Sequence, residues 1–365
     1  MDSISKPLQL QKRADMPDEN SGMTNSPASS AMMLVSILNW NGIEDTISCL
    51  SGLARDNCPR IQFAVLDNGS RDDPTVQLAA MFPDVECFRM PKNLGFTGGH
   101  NWMIKLAIER GYGSVFMLNN DCEIDIGAIL ALQNAMDADP EIAVLSSLVY
   151  RSGPDRHALM VAGSIDWAKQ RSIRPSDPDT RAPPGQPILL VGTALLLRCS
   201  AMQQIGLLDD RYFAYYDDND LSARLAAAGL KAAYCQASIC LHQYKALHDH
   251  SAMALYLMAR NQWLFWSTHT PLEFRHGTTR RLLSYSLHQV AHLVTHRVDL
   301  AKVNAIADGC WDAWRGHFGS PPPNLSSPWW LRWVFRTAPY LLASALENPI
   351  AMLSMAVRRI TAKSN

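Results

Sequence analysis

This chain of 365 residues is short of most features that assign a protein to a class at first sight. Its eight cysteines form no CxxC pair, Cys235 and Cys240 being the closest two, which argues against a disulfide scaffold and for reduced, cytosolic thiols. A net charge of −1 supplies no basic surplus for nucleic acid, so none is expected as a partner. Residues 1–31 are polar and aperiodic, contain no apolar stretch of the kind a secretion signal needs, and read as a disordered leader. Near the other end, arginines and Glu347 interrupt every apolar run in Trp329–Arg359, which excludes a membrane-spanning helix there.

What is present is a core-forming composition, 47% hydrophobic and 18% charged, enough for one large or two modest domains. From Met32 onward strands and helices alternate. Strands are expected at Met33–Leu38, Ile61–Leu66, Val85–Met90, Ser114–Leu118 and Ile142–Tyr150. Helices are expected at Ile43–Ala54, Thr75–Met81, Gly99–Glu109 and Ile126–Met136. This spacing predicts an α/β fold, a mostly parallel sheet covered on both faces, over residues 32–251. A helical extension over 252–365 follows. Ligands of such sheets bind beyond the carboxyl ends of the strands, and polar residues gather there. They are Asn39 and Asn41, then Asp67–Asp72, then Asn93–Asn101, then Asn119–Asp121.

Two acidic clusters about a hundred residues apart stand out: Asn119-Asn120-Asp121, and Asp217-Asp218-Asn219-Asp220 before a helical stretch. Carboxylates this close repel unless a cation or a proton-transfer task compensates them. Asp67-Asn68-Gly69-Ser70 taken alone is as well explained by a turn. The glycine-rich run Asn93–Asn101 matches neither the dinucleotide fingerprint nor the Walker pattern; it suits a diphosphate contact or a plain turn equally.

In order, Leu38-Asn39-Trp40-Asn41, Leu66–Asp72, Asn93–Asn101, Leu118–Asp121, Gly192–Arg198, Gly206–Phe213 and Tyr215–Arg224 resemble the motifs of family-two glycosyltransferases. The likeness is to the bacterial branch described as rhamnosyltransferase-like, and it covers about residues 33–262. It implies a GT-A type fold, Rossmann-like, and a UDP- or dTDP-sugar donor. The acceptor it implies is a bacterial surface glycan or a polyprenyl-linked glycan.

Carried over residue by residue, the resemblance makes Asp67 the partner of the nucleotide base, with Asn39 and Asn41 lining the same pocket. Asp121 becomes the metal-binding acid, with Asn119 where the fuller motif has aspartate, and His242 joins the metal or the diphosphate. A buried, internally satisfied histidine is the other reading of His242. Asp218 matches the general base and Asp217 stands where glutamate is common. Asn93, Gly95, Gly98, Gly99, Asn101, Asn120, Gly192, Asp220 and Arg260 fall among the substrate-contacting positions. The chemistry is coherent. A divalent cation, Mg²⁺ or Mn²⁺, neutralises the charge developing on a diphosphate leaving group. A positioned carboxylate takes the proton of an acceptor hydroxyl. One base and no protein nucleophile implies inversion at the anomeric carbon.

Two alternatives stay open. A sugar-phosphate nucleotidyltransferase would need a basic, glycine-rich loop after the first strand, where this chain has Asn39-Trp40-Asn41-Gly42. A non-catalytic glycosyltransferase-like partner would be expected to have lost Asp121 or Asp218. Elsewhere, residues 151–187 read as an insertion near the site or a surface excursion, with Trp167 as a sugar-contacting candidate. His288, His292 and His296 form one helical stripe best explained by packing. The tryptophans and arginines of Trp329–Arg359 fit either an interfacial helix facing anionic lipid or a packed helix. A cytoplasmic enzyme with peripheral contact at the inner membrane is the expected setting.

Overall fold

In the first strand, β1 (Met33–Asn39), apolar side chains point alternately to both sides, yet Met33, Leu34, Val35 and Ile37 are all fully buried. That requires cover on each face of the sheet. Met33, Val35 and Ile37 pack with Leu50, Leu53, Ile129 and Leu132, whereas Leu34 packs with Met103, Ile104 and Leu221 on the other side. These come from a computed structural model that describes residues 32–53, 58–152, 158–160, 163–173, 186–243 and 247–347. The leader at 1–31, Ala54, Arg358 and Arg359 lie outside the described residues.

The elements run α1 (Ile43–Leu53), β2 (Ile61–Asp67), α2 (Thr75–Met81), β3 (Glu86–Arg89), α3 (Gly95–Glu109), β4 (Ser114–Asn119), β5 (Cys122–Glu123), α4 (Ile126–Ala138) and β6 (Ile142–Arg151). Then come β7 (Ala158–Met160), β8 (Ser164–Asp166), β9 (Arg171–Ile173), β10 (Ala194–Arg198), α5 (Cys199–Ile205), α6 (Asp217–Ala227) and β11 (Lys231–His242). The helices α7 (Ala252–His269), α8 (Thr278–Thr295), α9 (Leu300–Trp314), α10 (Trp329–Thr337) and α11 (Pro339–Glu347) complete the described chain. The main sheet has the order β3-β2-β1-β4-β10-β6-β11-β5, with β7 alongside β6, and β8–β9 is a separate hairpin.

The fold is GT-A type: a mostly parallel sheet flanked by helices, followed by C-terminal helices. β10 is the interior exception, antiparallel to both β4 and β6. Its register sets Ala194 beside Leu118, which carries the preceding Gly192 and Thr193 to the end of β4.

Most boundaries fall within two residues of the sequence expectation, and the start of α3 differs by four. α3 starts at Gly95 rather than Gly99, so the glycine-rich run forms the first turns of a helix. Asn93 Oδ1 accepts from the Gly95 N–H at 2.7 Å and anchors that start. Gly95 has φ +78°, and a Cβ there would lie 2.4 Å from the Phe213 carbonyl oxygen. Only glycine permits that approach.

The C-terminal helices build their own core around Tyr256, Ala259, Val290, Ile306 and Phe335. α10 is amphipathic in an unexpected sense. Arg332 turns inward to clasp Asp308 with both Nε and Nη2, at 2.9 and 2.8 Å, and Arg336 donates to Asn304. Trp329, Trp330 and Trp333 face outward, 79%, 48% and 60% exposed. The arginines expected to meet lipid are instead the pins that hold the helix to α9.

Candidate active site

At the carboxyl ends of β1 and β2, Asn39, Asp67 and Ser70 form a closed network. Asn39 Nδ2 donates to Asp67 Oδ1 at 2.8 Å, and Asn39 Oδ1 accepts from Thr46. The Ser70 N–H donates to Asp67 Oδ2, and Arg89 Nε lies 3.5 Å from the same oxygen. Asp67 is thus wholly enclosed, with protein donors at both oxygens. A cavity of about 410 Å³ opens next to this network, lined by Asn39, Asn41, Ser70, Arg71, Asp72 and Gln77 among others. Asn41, in the left-handed region at φ +54°, receives the Arg71 N–H on Oδ1 and shapes its rim.

The glycine-rich run turns toward another part of the chain. Asn68 bonds Asn93, Leu94 and Gly95, tying the ends of β2 and α3 together. The Thr97 N–H donates to Phe213 O at 3.2 Å. Asn101 exchanges bonds with both backbone groups of Leu208 and donates to Asp210 at 2.7 Å. A Cβ on Gly99 would strike Leu38 at 2.5 Å, and one on Gly98 would meet Leu94 at 2.9 Å. Where the sequence reading expects diphosphate contacts, the contacts given for Gly95, Asn101 and Thr97 hold the loop Leu208–Tyr216.

Beyond β4, Asn120 Nδ2 donates to Gly42 O and Thr46 Oγ1, binding this strand end to α1. Asp121 and His242 approach to 3.2 Å between Oδ1 and Nε2, both partly open to solvent. The pairing of β5 with β11, His242 opposite Cys122, enforces this. Among the described residues, Asp121, Cys122 and His242 form the one set of acidic, thiol or imidazole ligand atoms lying within 4.8 Å of one another. Cys122 is buried and its thiol pKa is pushed well above the ordinary value, first by its hydrogen bond with Cys240 and then by burial. A carboxylate and an imidazole remain at the opening. That donor pair fits a hard divalent cation whose other ligands are water and phosphate oxygen.

The acid pair sits at the start of α6 behind a strained loop. Phe213, Tyr215 and Tyr216 all have positive φ, at 64°, 69° and 70°. Each non-glycine residue there costs roughly 1 kcal/mol or more and persists only where its surroundings impose it. Asn261 of α7 imposes it: its Nδ2 reaches the carbonyls of Tyr212, Ala214 and Tyr215 at 2.8, 2.7 and 2.9 Å. Arg260, wholly buried, adds bonds to Arg211 O and Tyr212 O.

Asp218 then accepts from the Gly192 N–H on Oδ2 and from its own neighbour's N–H, Asn219, on Oδ1. Burial pushes both carboxyls of the pair upward, and repulsion from Asp218 raises Asp217 further. The Gly192 and Asn219 N–H groups pull Asp218 back down. Burial therefore favours a proton on the pair, and the two N–H groups favour leaving the charge on Asp218.

Two backbone links join the clusters. The Asn119 N–H donates to Thr193 O at 3.0 Å, and the next residue back, Gly192, donates to Asp218. The Tyr215 phenol, raised chiefly by burial, also feels both Asp217 and Asp121. The family model of Glycosyl transferase family 2 matches residues 35–206, which carry the Asn39–Asp67–Ser70 network, the Asp121 corner and β10. Residues 35–206 are a glycosyl transferase family 2 domain.

Similar proteins agree with it. An N-acetylglucosaminyl-diphospho-decaprenol L-rhamnosyltransferase of Mycobacterium tuberculosis is 29% identical over 260 residues, 65% of this chain and 82% of that protein. A low-salt glycan biosynthesis hexosyltransferase of Haloferax volcanii is 22% identical over 64% of this chain and 74% of its own length. Among solved structures, S. aureus TarS superposes with a TM-score of 0.51 at 12% identity. That match covers 87% of this chain and about half, 55%, of TarS, and it bears on the fold alone.

Around this domain, several contacts expected from the sequence are spent on the fold. Asp220 is buried, with Arg224 Nε at 2.7 Å on one oxygen and His269 Nε2 at 2.8 Å on the other. Arg260 is committed to the Tyr212 loop. Trp167 packs against Phe265 and Trp266, with ring centroids 6.2 and 5.8 Å away. In the histidine stripe, His296 stacks on His248 and meets His292 at a tilt, with ring centroids 5.5 and 4.1 Å apart, and His288 bonds Glu347. Sequence reasoning missed His269 as the partner of Asp220, 49 residues away. It matched Asn261, with Arg260, to a pair that follows the catalytic core of the family, but gave it no contact. A lone Asn in a helix carries no local signal of the three carbonyls it will meet.

Proposed function

We infer that this protein transfers a hexosyl group, with inversion, from a UDP- or dTDP-sugar to a hydroxyl of a surface glycan or polyprenyl-linked acceptor. The observation that carries this reading is the double link from Asn119 through Thr193–Gly192 to Asp218. It holds the Asp121–His242 pair and the Asp217–Asp218 pair on one end of the sheet. The donor's nucleoside fits the cavity at Asn39, Asn41 and Ser70–Asp72, and its diphosphate extends toward Asp121. Asp121 and His242 would hold a divalent cation, Mg²⁺ or Mn²⁺, which when bound offsets the charge that develops on the leaving diphosphate. Asp218 takes the acceptor hydroxyl's proton as that oxygen attacks the anomeric carbon from the face opposite the diphosphate. Asp217, neutral beside it, keeps a second negative charge out of the pocket.

The rhamnosyltransferase relative, whose name gives it a diphospho-decaprenol acceptor, supports a lipid-linked acceptor here. None of the helices among the described residues is long and apolar enough to cross a membrane. Contact with a cytoplasmic leaflet would fall to the outward tryptophans of α10. Purified protein with Mn²⁺, a panel of UDP- and dTDP-sugars and lipid-diphosphate acceptors should release nucleoside diphosphate only when donor and acceptor are both present. No release across the whole panel would refute the reading.

A further inference from the structure

A cavity larger than the one beside Asn39 lies away from the donor side. About 640 Å³ opens between the β8–β9 turn and the helices α7, α8 and α11, within the range of small-molecule sites. One wall is Tyr216, which immediately precedes the acid pair in the chain. Trp266, Tyr285 and Ser284 continue this end, giving flat rings and a hydroxyl.

The other end is cationic. Lys169, Arg171 and Arg281 line it. Among the described residues, Arg281 bonds neutral oxygens, Gln170 Oε1, Phe274 O and His276 O, and no carboxylate pairs with it. Lys169 and Arg171 both lie 3.8 Å from one oxygen of Asp166, beyond hydrogen-bond reach, and are 66% and 64% exposed. Glu347 is already engaged by Ser284 and His288. Among the described residues, three cations thus line the space with one carboxylate, Glu347, which is already engaged, and Asp166 beside the cavity holds Lys169 and Arg171 loosely.

We propose that this cavity is the acceptor site, and that it takes a sugar bearing a phosphate or diphosphate group. The sugar lies against Tyr216, Trp266 and Tyr285 with a hydroxyl toward Asp218. The anionic group lies on Lys169 and Arg171, with Arg281 behind them. The assignment rests on the transfer reaction proposed above, and it adds where the acceptor binds and which charge it must carry.

The test uses the full chain and two acceptors: N-acetylglucosamine linked through diphosphate to a farnesyl chain, and the same sugar as a phosphate-free octyl glycoside. Lys169→Ala/Arg171→Ala should raise KM for the diphosphate acceptor about tenfold, with kcat and donor KM within about twofold of wild type. KM for the octyl glycoside should not change, and Lys169→Arg/Arg171→Lys should restore the diphosphate acceptor. An unchanged KM, or equal loss with both acceptors, overturns the assignment. So does normal transfer combined with weakened binding to phosphatidylglycerol vesicles, which would give the two cations to a lipid surface instead. Wild-type protein that uses neither acceptor would sink the transfer reading itself, a distinct outcome.

Discussion

The N–H of Gly192 donates to Oδ2 of Asp218 across 3.1 Å, tying the segment that leads into β10 to the first turn of α6. A Cβ on Gly192 would sit 3.5–3.8 Å from both acidic side chains, ordinary contact distances. The glycine therefore leaves the carboxylate's flank open without being demanded by backbone strain. Its contribution is a donor on one side of the proposed base and clear space on the other.

That arrangement separates two variants. Asp218→Asn should abolish transfer, by at least about a thousandfold, while nucleotide-sugar binding stays within about twofold of wild type. Asp121→Ala should weaken donor binding itself, and only when Mn²⁺ is present. Calorimetry of each variant with and without the cation checks this; equal loss of donor affinity in both would reverse the roles assigned here.

Asn261→Leu keeps the size of the side chain and removes its bonds to three loop carbonyls. The left-handed residues Phe213, Tyr215 and Tyr216 then lose the group that imposes them. A stability loss of about 2–4 kcal/mol is expected, because buried carbonyls are left unpaired. The folded fraction should show kcat reduced by about a hundredfold or more with donor binding nearly intact. Urea titration together with donor calorimetry would show both effects.

Asp217 predicts a pH dependence of stability. Burial, then repulsion from Asp218, raises its carboxyl to about 8. The folded state keeps a proton that the unfolded chain releases near pH 4, so wild-type stability should fall as pH rises from about 4 to about 8. Asp217→Asn carries no ionisable group and should escape that loss. At pH 8 its melting temperature should exceed wild type by a few °C, about 1 kcal/mol or more, with the gap closing near pH 4. Equal slopes for the two proteins would show that Asp217 ionises normally.

The outward face of α10 gives a membrane prediction without truncation, which would strip cover from Asp308 and from the α8–α9 core. Trp329→Ser/Trp333→Ser changes only exposed rings. It should reduce binding to phospholipid vesicles about tenfold at unchanged melting temperature. Because Arg332 and Arg336 face inward, the binding that remains in wild type should respond weakly to salt. Flotation at low and high salt measures both.

Much of the sheet was legible because alternating strands and helices leave a strong period, and each polar strand end fell where parallel topology sends ligands. Asp121 does meet His242, through the pairing of β5 with β11. Less was legible wherever a residue's partner is distant in sequence. Asn101 and Gly95 look like phosphate-loop residues, yet their partners, Leu208–Asp210 and Phe213, lie more than a hundred positions on. Arg332 reads as a lipid-facing cation until Asp308, on another helix, is known to lie under it. Glycine and asparagine signal a tight place without saying what fills it.

The grip of Asn261 on its loop also orders the assembly of the molecule. Asn261 follows Tyr215 by 46 residues, and three positive-φ residues do not hold that shape unaided. The sheet strands from β1 to β11 precede α7 in the chain, so on a growing polypeptide they are made first. The acid pair can take its working form only once α7 has emerged and docked. In refolding, sheet formation should precede recovery of transfer, and the newborn enzyme stays silent until its helices arrive.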